Sequence, residues 1–146
     1  NSKAQIQRLK KIAAQEKSGG KFLIDDPDFR GKIAEVEIEL QALEYTDLRY
    51  LMQAAAGNPP GAESSLLKLR GTEIQQRISE LLMQAMGYYA MPWLPDALEH
   101  GWNEDPIGPA EAAPLAPAYF NKRKTTIYGG TNEIQRNIIA KLVLGL

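Results

Sequence analysis

Cysteine is missing from all 146 residues, and there is a single histidine, His100. Without cysteine there is no disulfide framework and no thiolate zinc site, a composition that fits a reducing cytoplasm. One imidazole cannot build a histidine metal centre; His100 lies beside Glu99 in a proline-rich stretch and reads as a surface residue, so no metal site is expected. Charge of one sign is also absent. Seventeen basic and eighteen acidic residues leave a formal charge of −1, which offers no field to nucleic acid or to an anionic membrane surface. No apolar run approaches the roughly 20 residues that span a bilayer. Strand patterning is lacking as well, since no segment sustains the two-residue alternation of a half-buried strand.

What remains is helical spacing punctuated by glycine and proline, in a chain that is 44% hydrophobic and 24% charged, as ordinary globular domains are. The spacing predicts a first helix over residues 2–17, with Ile6, Leu9 and Ala13 on one face, a capping box at Ser2 and Gln5, and a stop at Ser18-Gly19-Gly20. A second helix is predicted over 26–57, with Pro27 at its first position and Phe29, Ile33, Val36, Leu40 and Leu43 along one stripe. After the break Asn58-Pro59-Pro60-Gly61, a third helix aligns Leu67, Gly71, Ile74, Ile78, Leu81 and Ala85 and ends at Gly87. A fourth helix follows Thr131 and is expected to bury Ile134, Ile138 and Leu142. Four amphipathic stripes and no strand predict an all-α, up-down four-helix bundle. Residues 91–118 hold six of the nine prolines and both tryptophans, Trp93 and Trp102, and form a long excursion before the last helix. That excursion is expected to be ordered and packed on a surface, with helical turns near residues 95–99 and 117–122.

The chemistry concentrates in Ile127-Tyr128-Gly129-Gly130-Thr131-Asn132-Glu133-Ile134-Gln135. Two glycines let the backbone approach a ligand, Thr131 supplies a capping hydroxyl, and the first free amides of the following helix point outward toward an anion. The string from Tyr128 to Arg136, continued by Asn137-Ile138-Ile139-Ala140 and a Leu-Gly-Leu ending, closely resembles the C-terminal signature of the acyl-CoA dehydrogenase family.

The resemblance implies an FAD-dependent α,β-dehydrogenation of an acyl-CoA thioester, in which a carboxylate takes the α proton and hydrogen bonds meet the carbonyl oxygen. Many relatives carry the glutamate base at the position of Gly129. Glycine keeps the amide but cannot accept a proton, and similar branches place the glutamate on an earlier helix. It is therefore expected upstream of Asn1, with no catalytic residue in the chain itself. Gly129 and Gly130 match substrate-side positions, and Thr131 and Glu133 match positions that contact FAD. Gln84 and Gly87 resemble the turn that meets the adenine half of FAD from a neighbouring subunit, although Tyr88-Tyr89 stands where a second glycine is usual. Asp28-Phe29-Arg30-Gly31-Lys32 replaces the family's Arg-x-x-Phe-Gly-Lys, so no flavin contact passes to Arg30.

The same resemblance implies that residues 1–146 are one C-terminal domain of a larger protein, with its first helix truncated, inactive alone and unable to retain FAD. Its partners would be an acyl-CoA, an electron-accepting flavoprotein and further copies in a dimer or tetramer, the uncovered stripe Ile6, Leu9 and Ile12 contributing contacts. The alternative is a non-catalytic partner subunit or a helical interaction module. Three other features are open to two readings. The basic run Lys122-Arg123-Lys124 faces a pyrophosphate or ends a helix in solvent. Glu35, Glu37, Glu39 and Glu44 form paired-carboxylate chemistry or a solvated face. Tyr88, Tyr89, Met83 and Met86 line an acyl pocket or a bundle core.

Overall fold

The computed structural model describes residues 1–59 and 61–146. Five α-helices are present: α1 (Ser2–Ala13), α2 (Pro27–Ala55), α3 (Glu63–Met86), α4 (Leu115–Lys122) and α5 (Asn132–Ile139). The fold is all-α, and α3 is its hub, with α1, α2, α4 and α5 each packed against it. The core joins Ile6, Leu9 and Ile12 of α1, Phe29, Ile33 and Val36 of α2, and Ile74, Ile78, Leu81, Leu82 and Met86 of α3. Ala112 and Leu115 close it from the end of the excursion and the start of α4. As the hub, α3 is buried along more than the single predicted stripe.

Local signals explain where these helices begin and end. Asp26 caps α2, its Oδ1 accepting from the Asp28 and Phe29 amides at 2.8 and 3.0 Å, and Pro27 follows at the first turn. Gly87 ends α3 with φ +53°. Of the break between α2 and α3, Pro60 lies outside the described residues.

Several expectations are corrected. Helix α1 stops at Ala13 rather than at residue 17, and its cap is Asn1, which accepts from the Lys3 amide at 3.0 Å, not a box at Ser2. Residues 17–22 instead fold into a minimal antiparallel hairpin, β1 (Lys17–Ser18) with β2 (Lys21–Phe22). Its turn is Gly19-Gly20, both at positive φ, the geometry that two-residue hairpins demand. The α1 stripe is not uncovered: Ile6, Leu9 and Ile12 are at most 2% exposed, packed in the core. The apolar surface that does face solvent lies elsewhere, on Tyr45, Leu48, Leu51 and Met52 of the distal half of α2. Trp93 is also exposed, whereas Trp102 is half-buried.

The carboxylates of α2 do not form a merely solvated face. Glu37 and Glu44 pair with Lys10 (2.6 Å) and Lys3 (2.9 Å) of α1, and Glu39 meets Arg77 (2.9 Å) and Arg70 (3.7 Å) of α3. Arg77 also pairs with Glu35. These ions lace α2 to its neighbours and leave no paired-carboxylate site.

Helix α5 departs furthest from expectation. It buries Asn132 and Gln135, leaves Ile138 half-buried and exposes Ile134 (51%), and Leu142, in the π-helical turn Ala140–Leu144 that continues it, is 66% exposed. The side that meets α3 is led by Asn132 and Gln135 rather than by Ile134.

Candidate functional site

Helix α3 presents Lys68, Thr72 and Gln76 four residues apart, so the three side chains share one face. Segment 122–132 is laid along that polar face. Gln76 Nε2 donates to the carbonyls of Lys122 and Arg123, both at 3.2 Å. Lys68 Nζ donates to Thr126 O at 3.2 Å and to Asn132 Oδ1 at 2.7 Å. Asn132 Nδ2 in turn donates to Thr72 Oγ1 at 3.3 Å, and that hydroxyl donates to Leu69 O at 2.9 Å. Burying Asn132 is tolerated because each end of its amide is bonded.

The segment so pinned carries the glycine turn. Gly129 and Gly130 have φ of +61° and +87°, left-handed conformations that side chains rarely adopt. Gln135 reaches back from the first turn of α5 and donates from Nε2 to Gly129 O at 2.8 Å, closing the loop. Thr131 caps α5, its Oγ1 accepting from the Ile134 amide at 3.3 Å. The amides of Gly129 and Gly130 donate to no other group among the described residues. Exposed donors beside a helix N-terminus are what an oxyanion or a phosphate oxygen would meet.

Glu133 shares that terminus. Its carboxyl is held below the ordinary value of 4.5, first by its own backbone amide, then by the Thr131 hydroxyl, and further by the charges of Arg136 and Lys68. It is an ionised group that completes the cap, and a poor proton acceptor.

The structure thus brings Gly129, Gly130, Thr131 and Glu133 together. Gln84 and Gly87 are apart from them. Sixteen residues separate Gln84 from Lys68 on α3, a rise of about 24 Å. Gln84 is exposed and accepts from Lys32 at 3.3 Å, and Gly87 is the exposed end of the helix. The basic run does not form a cationic face. Arg123 turns inward, stacked 4.2 Å from the Tyr119 ring centroid and bonded to Gln76 O at 3.1 Å, and Lys122 donates to Gln75 at 3.4 Å. Only Lys124 projects, over Tyr128. Tyr88 is 93% exposed and Met86 is in the core, so the two do not line one pocket. His100 is exposed, and no metal-ligating cluster occurs among the described residues. A cavity of about 320 Å³ opens between α1, α3 and α4, lined in part by Arg8, Ser79, Leu82 and Lys122. No residue of the turn lines it, and the chemistry of the turn decides the site rather than the size of that cavity.

The anchors Lys68, Thr72, Gln76, Asn132 and Gln135 were missed from sequence. Their signal is spacing: Lys68, Thr72 and Gln76 recur every four residues on α3, and Asn132 and Gln135 stand three apart on α5.

An all-α domain built on one hub helix, with an exposed glycine turn before α5, is the class these features define. The family described as Acyl-CoA dehydrogenase, C-terminal domain, matches residues 2–144, and the chain belongs to it. Over 122 residues it is 34% identical to acyl-CoA dehydrogenase IpdE1 of Mycobacterium tuberculosis and 32% identical to that of Mycolicibacterium smegmatis. Each match covers 84% of this chain but 28% and 26% of those proteins, so the chain spans about a quarter of their length. Solved structures share the fold. The FAD complex of PigA superimposes with a TM-score of 0.76 at 20% identity, covering 99% of this chain and 33% of that one. Butyryl-CoA dehydrogenase from Megasphaera elsdenii gives 0.70 at 19% identity, covering 94% and 31%. Among the described residues no helix is long and apolar enough to cross a membrane.

Proposed function

We propose that residues 127–135 are the part of an FAD-dependent acyl-CoA dehydrogenase that meets the substrate thioester. The observation that carries this reading is the pair of positive-φ glycines whose amides stand uncommitted beside the α5 N-terminus. The Gly129 amide donates to the thioester oxygen as negative charge develops there, and Gly130 leaves room for the acyl-CoA. Thr131 and Glu133 would help hold FAD from the cap, and FAD held there would supply hydride acceptance from the β carbon. Gln84 and Gly87, remote from this turn, serve the adenine half of FAD in a neighbouring copy of a dimer or tetramer. An electron-accepting flavoprotein would be the partner that accepts the electrons.

Neither Gly129 nor Glu133 supplies the base. Gly129 has no side chain, and Glu133 is held in its ionised, weakly basic form. The carboxylate comes from another part of the longer protein to which this domain belongs. The same glycine favours a second reading, a non-catalytic partner subunit that keeps the oxygen-binding turn and leaves proton removal to its companion.

The test is turnover of acyl-CoA substrates with an artificial electron acceptor, by the full-length protein and by residues 1–146 alone. The full-length protein is expected to hold FAD and turn over; the isolated chain is expected to do neither. Turnover by the isolated chain would show that the base is misplaced. A full-length protein that binds FAD yet stays inactive until a companion subunit is added would select the second reading.

A further inference from the structure

Among the described residues, Lys68 alone grips both shoulders of the glycine turn, Thr126 before it at 3.2 Å and Asn132 after it at 2.7 Å. Both acceptors are neutral. The ion pairs of α3 belong to Arg70, Glu73 and Arg77, and among the described residues no carboxylate lies within 4.0 Å of Lys68. The other charged groups around the turn are Glu133, Lys124 and Arg136, the last paired with Glu73 at 2.9 Å. The ammonium is half-buried and bonded to two neutral oxygens, so its charge is unpaired at close range, and the Glu133 carboxylate acts on it only from beyond ion-pair distance.

We propose that Lys68 is a positioning residue for the turn, and that its charge, unpaired at close range, favours the negative oxygen of a substrate bound to the glycine amides. This rests on the reading of the turn as a thioester site. Lys68 touches no substrate in this assignment; it acts through the backbone it holds and through its field. That field already reaches the outer end of the cap, where it helps keep the Glu133 carboxyl ionised. No proton leaves Lys68, and no covalent step involves it.

The experiment uses the FAD-loaded full-length protein with Lys68→Gln, which keeps a hydrogen-bond donor and loses the charge, and Lys68→Arg, which keeps the charge. Two readouts are taken: kcat and KM for an acyl-CoA, and the pH at which a bound 3-ketoacyl-CoA loses its acidic C2 proton. Lys68→Gln is expected to lower kcat about 10- to 100-fold with little change in KM. It should also raise the ionisation pH of the bound ligand by about one unit, a tenfold change. Lys68→Arg should restore both. A merely structural staple would not move the ligand's ionisation. Wild-type kcat and ionisation in Lys68→Gln, or an equal defect in Lys68→Arg, would overturn the assignment. Should Lys68→Gln melt early, the ionisation pH is read below its melting temperature, where a raised value supports the role of charge and an unchanged one refutes it. A wild-type protein that neither turns over acyl-CoA nor ionises the ligand removes the thioester reading and this proposal together, an outcome distinct from failure at Lys68 alone.

Discussion

Replacing Gly130 with alanine separates backbone strain from side-chain contact at the site. At φ +87° the new Cβ would sit 2.8 Å from Gln135 Nε2, the atom that donates to Gly129 O. The left-handed conformation costs an L-residue about 1–2 kcal/mol. Gln135 is 8% exposed, so pushing its amide aside also forfeits a buried hydrogen bond, about 0.5–1.5 kcal/mol. Gly130→Ala should therefore destabilise the chain by roughly 1.5–3.5 kcal/mol. Gly129→Ala is the control, because at φ +61° its Cβ meets nothing within 4 Å and only the backbone term of about 1–2 kcal/mol applies. Urea unfolding followed by circular dichroism measures both. In a Gln135→Ala background, the excess penalty of Gly130→Ala over Gly129→Ala should vanish. Equal penalties for the two glycines within about 0.5 kcal/mol, or an excess that persists without Gln135, would refute the contact.

The inverted orientation of α5 predicts that Asn132→Ala lowers stability by about 1–3 kcal/mol, whereas Ile134→Ser changes it by less than about 0.5 kcal/mol; comparable denaturation midpoints for the two would show that the helix face is misassigned. Leu9→Ala, at a fully buried position of α1, should cost about 2–5 kcal/mol in the same unfolding measurement, and a near-neutral result would mean that α1 is not docked. Acid unfolding tests the cap. Because the folded Glu133 carboxyl titrates below 4.5, its stabilisation is complete above that pH and is lost as pH falls through the lower folded value. Glu133→Gln should accordingly flatten the acid limb of the stability curve, and limbs of equal slope would contradict the depressed value.

Much of the framework was legible because its signals are local. Asp26 followed by Pro27 marks the start of α2 through a carboxylate that accepts from nearby amides, and Gly87 marks the end of α3 through a positive φ. The stripe Phe29, Ile33, Val36 appears in sequence as it does in the core, since a period of 3.6 residues places these side chains on one face whatever lies opposite. The glycine turn was visible too, as were Thr131 and Glu133 at the helix start that follows it.

Tertiary structure alone decided the matters that depend on a distant partner. By spacing, Asn132 and Gln135 share one side of α5, and Ile134 lies on another. Periodicity says that the sides differ, not which is buried. The choice falls to Lys68 and Thr72, some sixty residues earlier, whose donors and acceptors match the Asn132 amide and make its side the docked one. Likewise the carboxylates of α2 are solvated by their own spacing and become inter-helix ion pairs only when Lys10 and Arg77 are brought opposite them. The sequence by itself determined where the chain turns and which residues can face together, because those follow from short-range sterics and hydrogen bonding. Which face meets which required the fold, because complementarity between polar groups is a property of pairs, and the pairs here are far apart along the chain.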